Sequence, residues 1–172
     1  MYDSKEHNLG ALVTQWYKKN GRQNLPWRKS ITPYKVWISE MMLQQTQVVT
    51  AQSYYSKFLK KYPSLSSMKM ATEDDILSLW SGLGYYRRAS FIYQAKEKIF
   101  LDFNGRFPAT YDELITLPGI GRSTAGAILS IAYQKPFPIL DANVKRVLAR
   151  LFLQQEFKEG LFWNLSAQCL DE

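Results

Sequence analysis

The stretch Leu117-Pro-Gly-Ile-Gly-Arg-Ser-Thr-Ala125 decides the fold, because it joins two helical patterns through a turn rich in glycine and proline. Pro118 and Gly119 end the first pattern. An apolar stripe then runs from Ala125 to Ala132 with the i, i+3, i+4, i+7 spacing of an amphipathic helix. The sequence therefore predicts a helix, a glycine turn and a second helix at this point of the chain.

This turn is also a candidate anion-binding site. Gly119 and Gly121 lack side chains, so a phosphate group can approach the backbone N–H groups, and the second helix presents the positive end of its dipole. No P-loop lysine pattern is present, which argues against a nucleoside triphosphate. The alternative is a simple helical hairpin that ends in a glycine C-cap. The motif alone leaves both interpretations open.

Composition points to one globular unit with a polyanionic partner. The chain has 172 residues, which fits one domain or one domain and part of another, and 46% of them are hydrophobic. Lysine and arginine outnumber aspartate and glutamate by 22 to 15, so the net charge is +7. Such an excess favours nucleic acid as a partner, although basic composition alone is weak evidence.

Cysteine and histidine are too scarce for a metal site built by this chain. The single cysteine, Cys169, excludes an internal disulfide and a four-cysteine site. The single histidine, His7, lies in a polar N-terminal stretch, where we expect it to be solvated rather than catalytic. Neither a signal peptide nor a membrane-spanning apolar run is apparent.

The remaining periodicity predicts an all-α fold of seven or eight short helices with brief connections. A first helix is expected over residues 8–19, and one long helix from Tyr34 to about Tyr55. Capping boxes at Thr72 and Thr110 predict two further helix starts. Ser81-Gly-Leu-Gly84 interrupts the pattern between them.

Glu40 is the first of two carboxyl groups in unusual settings. Trp37 and Leu43 lie three positions before and after it, so its own helical face is partly apolar. Burial would raise its pKa and let it keep a proton for general acid catalysis. The alternative is a glutamate at the helix edge that reaches for solvent or an arginine.

Asp141 is the second carboxyl group. It precedes a helical stripe, which is typical of an N-cap residue. It also follows the apolar segment Pro138-Ile-Leu140, one helix away from the glycine turn, where a carboxylate could face the sugar of a bound nucleotide. The two uses are compatible, because one oxygen can accept an N–H while the other faces a ligand.

Six motifs together resemble the A/G-specific adenine DNA glycosylases, the MutY-type branch of the helix-hairpin-helix glycosylases. The motifs are Leu25-Pro-Trp-Arg28, Thr32-Pro-Tyr-Lys-Val-Trp37, Ser39-Glu-Met-Met-Leu-Gln-Gln-Thr-Gln47, Gly82-Leu-Gly-Tyr-Tyr86, Leu117-Pro-Gly-Ile-Gly-Arg-Ser-Thr-Ala-Gly-Ala127 and Asp141-Ala-Asn-Val-Lys-Arg146. They follow in order, and the match as a whole runs from about residue 8 to residue 153. The resemblance implies a six-helix lobe over 29–138 with the hairpin at 110–133. It assigns residues 1–28 to the second lobe, whose continuation at 139–172 is expected to be truncated before an iron–sulfur segment.

The resemblance implies removal of adenine mispaired with 8-oxoguanine or guanine in base excision repair, with the adenine extruded from the helix. In the family, the glutamate matching Glu40 protonates an adenine ring nitrogen and helps to activate water, and the aspartate matching Asp141 stabilises an oxocarbenium-like sugar. Relatives that also cut the strand carry a Schiff-base lysine where this chain has Ser123. Ser123 therefore favours a monofunctional glycosylase. Asn143 matches a side chain beside the catalytic aspartate.

Other site residues follow from the same resemblance. Trp27, Arg28 and Leu43 match the wall of the adenine pocket. Gln45 and Tyr85 match residues that wedge into the duplex, and the alternative for Tyr85 is a packed core aromatic. Gly119 and Gly121 are expected to offer N–H groups to a phosphate. Four basic residues are candidate phosphate contacts, with solvated surface as the alternative for each: Arg87, Arg88, Lys145 and Arg146.

The resemblance also implies a cofactor and a setting. Family members hold a [4Fe-4S] cluster with four cysteines, so we expect none in this chain unless a four-cysteine segment follows. The expected partner is double-stranded DNA with an adenine mispair, bound by a monomer without a membrane. The compartment would be the cytoplasm or nucleoid in a bacterium, and the nucleus or mitochondria in a eukaryote. Alternative functions are a binding-only DNA module, a strand-cleaving lyase and a plain helical interaction domain.

Overall fold

The computed structural model describes residues 9–170, and every regular element within that range is helical, as the sequence predicts. His7 lies outside the described residues. The α-helices are α1 Leu9–Asn20, α2 Pro33–Leu43, α3 Val48–Lys61, α4 Glu73–Trp80, α5 Arg87–Asp102, α6 Tyr111–Leu114, α7 Arg122–Ala132, α8 Ala142–Leu151 and α9 Glu159–Gln168. Two 3-10 turns, Pro26–Arg28 and Ser66–Met68, lie between them.

Both predicted capping boxes are present. The Thr72 hydroxyl accepts the Asp75 N–H at the start of α4, and the Asp75 carboxylate accepts the Thr72 N–H in return. Thr110 and Glu113 make the same reciprocal pair at the start of α6. Such pairs satisfy N–H groups that have no partner inside the helix, so these two starts are fixed locally by the sequence.

The prediction of one long helix from Tyr34 to Tyr55 is wrong. The structure has two helices, because α2 ends at Leu43 and α3 begins at Val48. The connection contains neither glycine nor proline, and Gln45 adopts a left-handed conformation with φ of 55°. This split raises the number of α-helices within residues 9–170 to nine, above the predicted seven or eight.

The main hydrophobic core surrounds α2. Trp37, Ile38, Met41 and Met42 are fully buried, and α2 packs against α3, α5 and α7. A helix that is apolar on nearly every side belongs in the centre of a helical domain. Glu40 is carried on this central helix, so its backbone position is set by the core itself.

A second, smaller cluster follows the hairpin. It consists of Leu140, Leu148, Phe162, Trp163 and Leu165, which belong to α8, α9 and the segment before them. Two contacts tie it to the rest of the chain. The Arg122 guanidinium lies 3.9 Å from the centre of the Trp163 ring, and the Ser166 hydroxyl donates to the Ile139 carbonyl at 2.7 Å. The division into lobes at 1–28, 29–138 and 139–172 stays a prediction.

The first helix lies on the surface. None of its residues is buried, and its apolar side chains Leu12, Val13 and Trp16 are about half exposed or more. It touches the 3-10 turn through Tyr17, whose ring lies 4.6 Å from the Arg28 guanidinium. Among residues 9–170 no helix has both the length and the apolar character that a membrane span requires.

Candidate active site

A cavity of about 560 Å³ lies beside the central helix and contains the principal predicted site residues. Its size suits a small organic ligand or a nucleobase. The cavity is lined by Tyr17, Arg22, Gln23, Leu25, Trp27, Arg28, Ile31, Val36, Ser39, Glu40, Leu43, Val48 and Ile131. Residues that are distant in the chain, from α1, α2 and α7, thus meet at one place.

Glu40 is the carboxyl group of this cavity. It lies one turn before the end of α2 and is half-buried. Burial and, to a smaller extent, the negative charge of Asp141 together raise its pKa from 4.5 to about 7. A carboxyl group with this pKa is part protonated at neutral pH. It can therefore both give and take a proton there.

Asp141 is the N-cap of α8, as one of its two interpretations predicts. Its carboxylate accepts the Val144 N–H at 2.7 Å, and its side chain is exposed. It does not line the cavity, but its charge contributes to the raised pKa of Glu40, so the two carboxyl groups lie within electrostatic reach of each other. The second carboxylate oxygen of Asp141 remains available for a ligand.

Ser123 and Asn143 fix the surroundings of Asp141. The Ser123 hydroxyl, on the first turn of α7, accepts the Leu140 N–H at 3.0 Å and so holds the backbone that leads into Asp141. The Asn143 carbonyl oxygen accepts from the Arg146 guanidinium at 2.9 Å. Their predicted supporting roles in catalysis stay predictions.

The three predicted base-pocket residues all line the cavity with Glu40. Trp27 is half-buried and meets the edge of the Tyr55 ring at 5.6 Å between centroids, so its orientation is fixed. Arg28 is held over the Tyr17 ring, and Leu43 lies one turn after Glu40 on α2. An indole, an aliphatic side chain and an arginine around a carboxyl group form a surface on which a planar base can stack.

Sequence reasoning did not assign nine of the lining residues to the site: Tyr17, Arg22, Gln23, Leu25, Ile31, Val36, Ser39, Val48 and Ile131. The Gln23 amide donates to the Tyr17 carbonyl at 3.3 Å, which holds this side of the cavity together. Arg22 and Gln23 lie just before the quoted Leu25 motif, and their proximity to it is the signal that could have found them. Ile131 belongs to the stripe of α7 and gives no local signal.

The two predicted wedge residues lie at exposed loop positions. Gln45 is exposed between α2 and α3, and Tyr85 is 62% exposed just before α5. The alternative of a packed core aromatic is therefore wrong for Tyr85. Both residues have positive φ, 55° and 51°, which is uncommon for residues other than glycine and marks a backbone held by its surroundings.

The glycine turn has two different glycines. Gly119 has φ of 78°, and a Cβ there would lie 2.7 Å from the Cβ of Phe91. Gly121 has φ of −89° and opens α7 as its N-cap, with no atom within 4 Å of an added Cβ. Gly119 is thus required by conformation and packing. Gly121 instead leaves space in front of the N–H groups of α7, where an anion can approach.

The four predicted phosphate contacts divide into two groups. Arg87 and Arg146 are exposed and Lys145 is half-buried, so these three can reach a ligand. The prediction is wrong for Arg88, which is only 5% exposed. Its guanidinium donates to main-chain carbonyls of the segments before α3 and before α5, because a buried cation needs hydrogen-bond partners.

The described residues do not fit a metal cluster. Four thiolates are needed for a [4Fe-4S] cluster, and this chain has only Cys169. Partial burial raises the pKa of its thiol, which disfavours the thiolate that binds iron. No group of three or more histidine, cysteine, aspartate or glutamate side chains within residues 9–170 could hold a metal ion.

Comparisons with known proteins agree with this geometry. The chain is 55% identical over 144 residues to an adenine DNA glycosylase of Buchnera aphidicola from Schizaphis graminum, covering 84% of this chain and 42% of that protein. It is 40% identical over 176 residues to the adenine DNA glycosylase of Homo sapiens, covering 94% of this chain and 32% of the human protein. The chain thus spans less than half the length of these relatives.

Solved structures share the fold. A thermostable thymine-DNA glycosylase superposes with a TM-score of 0.84 at 23% identity, covering 97% of this chain and 80% of the other. An endonuclease III trapped covalently on DNA gives a TM-score of 0.80 at 21% identity, covering 96% and 77%. The profile of the HhH-GPD superfamily of base excision DNA repair proteins matches residues 38–161. The chain therefore belongs to the HhH-GPD superfamily of base excision DNA repair proteins.

Proposed function

We propose that this protein is a monofunctional adenine DNA glycosylase that hydrolyses the N-glycosidic bond of adenine mispaired with 8-oxoguanine or guanine. One observation carries the proposal: the Glu40 carboxyl, with its pKa raised to about 7, lines a base-sized cavity and interacts with the charge of Asp141. Similarity to adenine DNA glycosylases across most of the chain supports the same substrate.

The proposed reaction needs two carboxyl groups in opposite protonation states. Glu40 donates its proton to a ring nitrogen of the extruded adenine, and the bond from C1′ to N9 breaks with its electron pair moving to the base. The carboxylate of Asp141 stabilises the positive charge that develops on the sugar. Water then attacks C1′ and loses a proton to the Glu40 carboxylate, which restores the starting state and leaves an abasic site.

Double-stranded DNA is the proposed partner of a monomeric protein. The glycine turn would hold a phosphate at the N-terminus of α7, with the exposed Arg87 and Arg146 and the half-buried Lys145 beside the duplex. We propose no cofactor for the chemistry itself, and a [4Fe-4S] cluster would require four cysteines outside residues 1–172. The proposed compartment is the one that holds the genome, namely the nucleoid or the nucleus and mitochondria.

A base-release assay tests the proposal. The protein is incubated in excess with a duplex that carries adenine opposite 8-oxoguanine, and alkali then cleaves any abasic site. We expect strand breaks only after alkali, and intact adenine under these single-turnover conditions would refute the activity. Glu40→Gln and Asp141→Asn are each expected to lower the excision rate by about a hundredfold or more, with duplex binding retained.

Two rival functions have distinct outcomes in the same samples. A binding-only module would use the open glycine turn before α7 and the net charge of +7, and it predicts salt-dependent duplex binding without base release. A lyase predicts a covalent DNA adduct after borohydride reduction. Ser123 argues against the lyase, because its hydroxyl cannot form a Schiff base and already accepts the Leu140 N–H.

A further inference from the structure

Arg88 is a buried cation for which the proposed chemistry has no use. It is 5% exposed, and within residues 9–170 its guanidinium bonds to carbonyl oxygens and to the Thr46 hydroxyl rather than to a carboxylate. Its positive charge is instead neutralised by main-chain oxygen atoms. Burying a guanidinium is costly unless its N–H groups are satisfied, so its contacts are expected to hold specific backbone in place.

One side of the guanidinium holds the end of α2 and the segment 44–47, which we call the first loop. Nη1 lies 3.0 Å from the Met41 carbonyl, 2.9 Å from that of Met42 and 2.7 Å from that of Gln44. It also lies 3.1 Å from the Thr46 hydroxyl. The last carbonyls of a helix have no partner within the helix and carry its negative dipole end, so a cation stabilises them there.

The other side of the guanidinium holds residues 81–86, which we call the second loop. Nη2 donates to the Gly84 carbonyl at 2.9 Å, and Nε lies 3.4 Å from the Tyr85 carbonyl. The guanidinium also lies 5.6 Å from the centre of the Tyr85 ring. A single planar group therefore bridges two loops that are about forty residues apart in the chain.

Each loop presents one exposed non-glycine residue with a left-handed backbone. These residues are Gln45 in the first loop and Tyr85 in the second. A positive φ is unfavourable for a non-glycine residue because its Cβ crowds the backbone, and such a conformation persists only where the surroundings enforce it. Arg88 provides that enforcement through its hydrogen bonds to the Gln44 carbonyl and the Thr46 hydroxyl, on either side of Gln45, and to the carbonyls of Gly84 and Tyr85.

We propose that Arg88 is a positioning residue that locks the two loops into one unit, so that Gln45 and Tyr85 reach a DNA duplex at a fixed separation. This inference rests on the proposed function for its DNA partner. The lock itself is a property of the free protein. Side chains that enter a base stack must be held rigidly, because their insertion has to offset the free energy of unstacking.

The first test measures amide hydrogen exchange in the free protein. Arg88→Met keeps the length of the side chain and removes its donors. We expect exchange in both loops to accelerate by about tenfold or more, through local opening. The matched control is Lys96→Met, on the same helix, which removes a fully buried cation that donates to the Ala71 carbonyl at 2.7 Å. That control is expected to leave the two loops unchanged relative to the rest of the chain.

The second test measures binding to two duplexes, one with adenine opposite 8-oxoguanine and one fully paired. Arg88→Met is expected to lower the preference for the mispaired duplex by about tenfold while binding of the paired duplex is retained. Equal weakening on both duplexes, or unchanged exchange in the loops, would overturn the proposal. If the wild-type protein does not prefer the mispaired duplex, the proposed function is refuted. The amide exchange rates of the two loops then decide by themselves whether Arg88 positions them.

Milder variants keep the tests decisive if Arg88→Met does not fold. Thr46→Val removes one acceptor of the guanidinium and is expected to accelerate exchange in the first loop only. Arg88→Lys keeps the charge, but one ammonium group cannot bridge both loops. Amide hydrogen exchange in this variant is expected to accelerate in at least one loop. Wild-type exchange rates in both loops would contradict the proposed role of Arg88.

Discussion

At the scale of single residues, Glu40 shows how a helix position sets the chemistry of a carboxyl group. The core around α2 fixes its backbone, and the cavity withdraws its side chain from water. Desolvation is the larger cause of its raised pKa, and repulsion from Asp141 is the smaller one. Both causes act against ionisation, so the folded protein holds the proton more tightly than the unfolded chain does.

Glu40→Gln is therefore expected to stabilise the protein in alkaline but not in acidic solution. Below about pH 4.5 the carboxyl is protonated in both folded and unfolded states, and its burial carries no ionisation cost. Stability is lost as pH rises through the folded pKa of about 7. By about pH 8 the variant should gain about 2 to 3 kcal/mol in the free energy of unfolding.

Denaturant unfolding at about pH 4 and about pH 8 measures this difference. Glu113→Gln serves as a control of opposite sign, because the Thr110 hydroxyl lowers the pKa of Glu113. A carboxyl with a lowered pKa stabilises the fold above its unfolded pKa, so that control should show no gain in alkali. Equal stabilisation of Glu40→Gln at both pH values would contradict the assigned cause.

Two substitutions at Asp141 separate its structural role from its proposed chemical one. Asparagine caps helices about as well as aspartate, so Asp141→Asn should keep the Val144 hydrogen bond and nearly all of the stability. Asp141→Ala should lose about 1 kcal/mol in the free energy of unfolding. Both variants should lose base excision, measured in single turnover. Retained excision in Asp141→Asn would leave capping as the only function of this residue.

At the scale of elements, substitutions at the two glycines of the turn before α7 separate a structural role from a proposed role in DNA binding. Gly119→Ala places a Cβ at positive φ and within 2.7 Å of Phe91, so it should destabilise the fold by about 2 kcal/mol or more. Gly121→Ala meets no atom within 4 Å, so its effect on stability is limited to the poorer N-cap that alanine makes and should be smaller than that of Gly119→Ala. It should nevertheless weaken duplex binding, because a methyl group would stand where a phosphate approaches. Unaltered binding by Gly121→Ala would argue against a phosphate at this turn.

The helices also show which parts of the fold could be predicted from sequence. Helix starts at Thr72 and Thr110 follow from residues three positions apart, and both predictions are confirmed. The break between α2 and α3 has a different origin. The main-chain oxygens at this break accept hydrogen bonds from Arg88, which lies more than forty residues away in the chain. No local sequence pattern therefore predicts the break. The same distance explains why Arg88 was wrongly predicted to lie on the surface.

The residues of the candidate site divide in the same way, into those that lie in local motifs and those that only tertiary packing brings to the cavity. Glu40, Trp27 and Leu43 could be identified because they lie in contiguous motifs, and the structure brings them to one cavity. Ile131 joins them only when α7 packs against α2, which local periodicity does not specify. Sequence also gave no sign that Arg122 lies over Trp163, a contact that depends on the docking of α9.

At the scale of the whole molecule, the hairpin is the point at which the two hydrophobic clusters meet. Ser123 holds the Leu140 N–H, Arg122 lies on Trp163, and Ser166 donates to the Ile139 carbonyl. The first and the third of these contacts hold Leu140 and Ile139, the two residues that directly precede Asp141. The electrostatic interaction between Asp141 and Glu40 therefore depends on how the smaller cluster docks against the main core. A change in that docking would alter the pKa of Glu40 without touching the cavity.

The net charge of +7 predicts salt-dependent duplex binding, and the exposed cations define how steep that dependence is. Arg87→Gln, Lys145→Gln and Arg146→Gln are each expected to lower the slope of log K against log salt concentration by about 0.9, the value for one phosphate contact. Binding titrations at several salt concentrations measure the slope. Lys98→Gln is the matched control, because Lys98 pairs with Asp102 at 2.7 Å at the far end of the helix that begins with Arg87. That control should keep the wild-type slope, whereas an equal reduction would mean that net charge, and not these three contacts, governs binding.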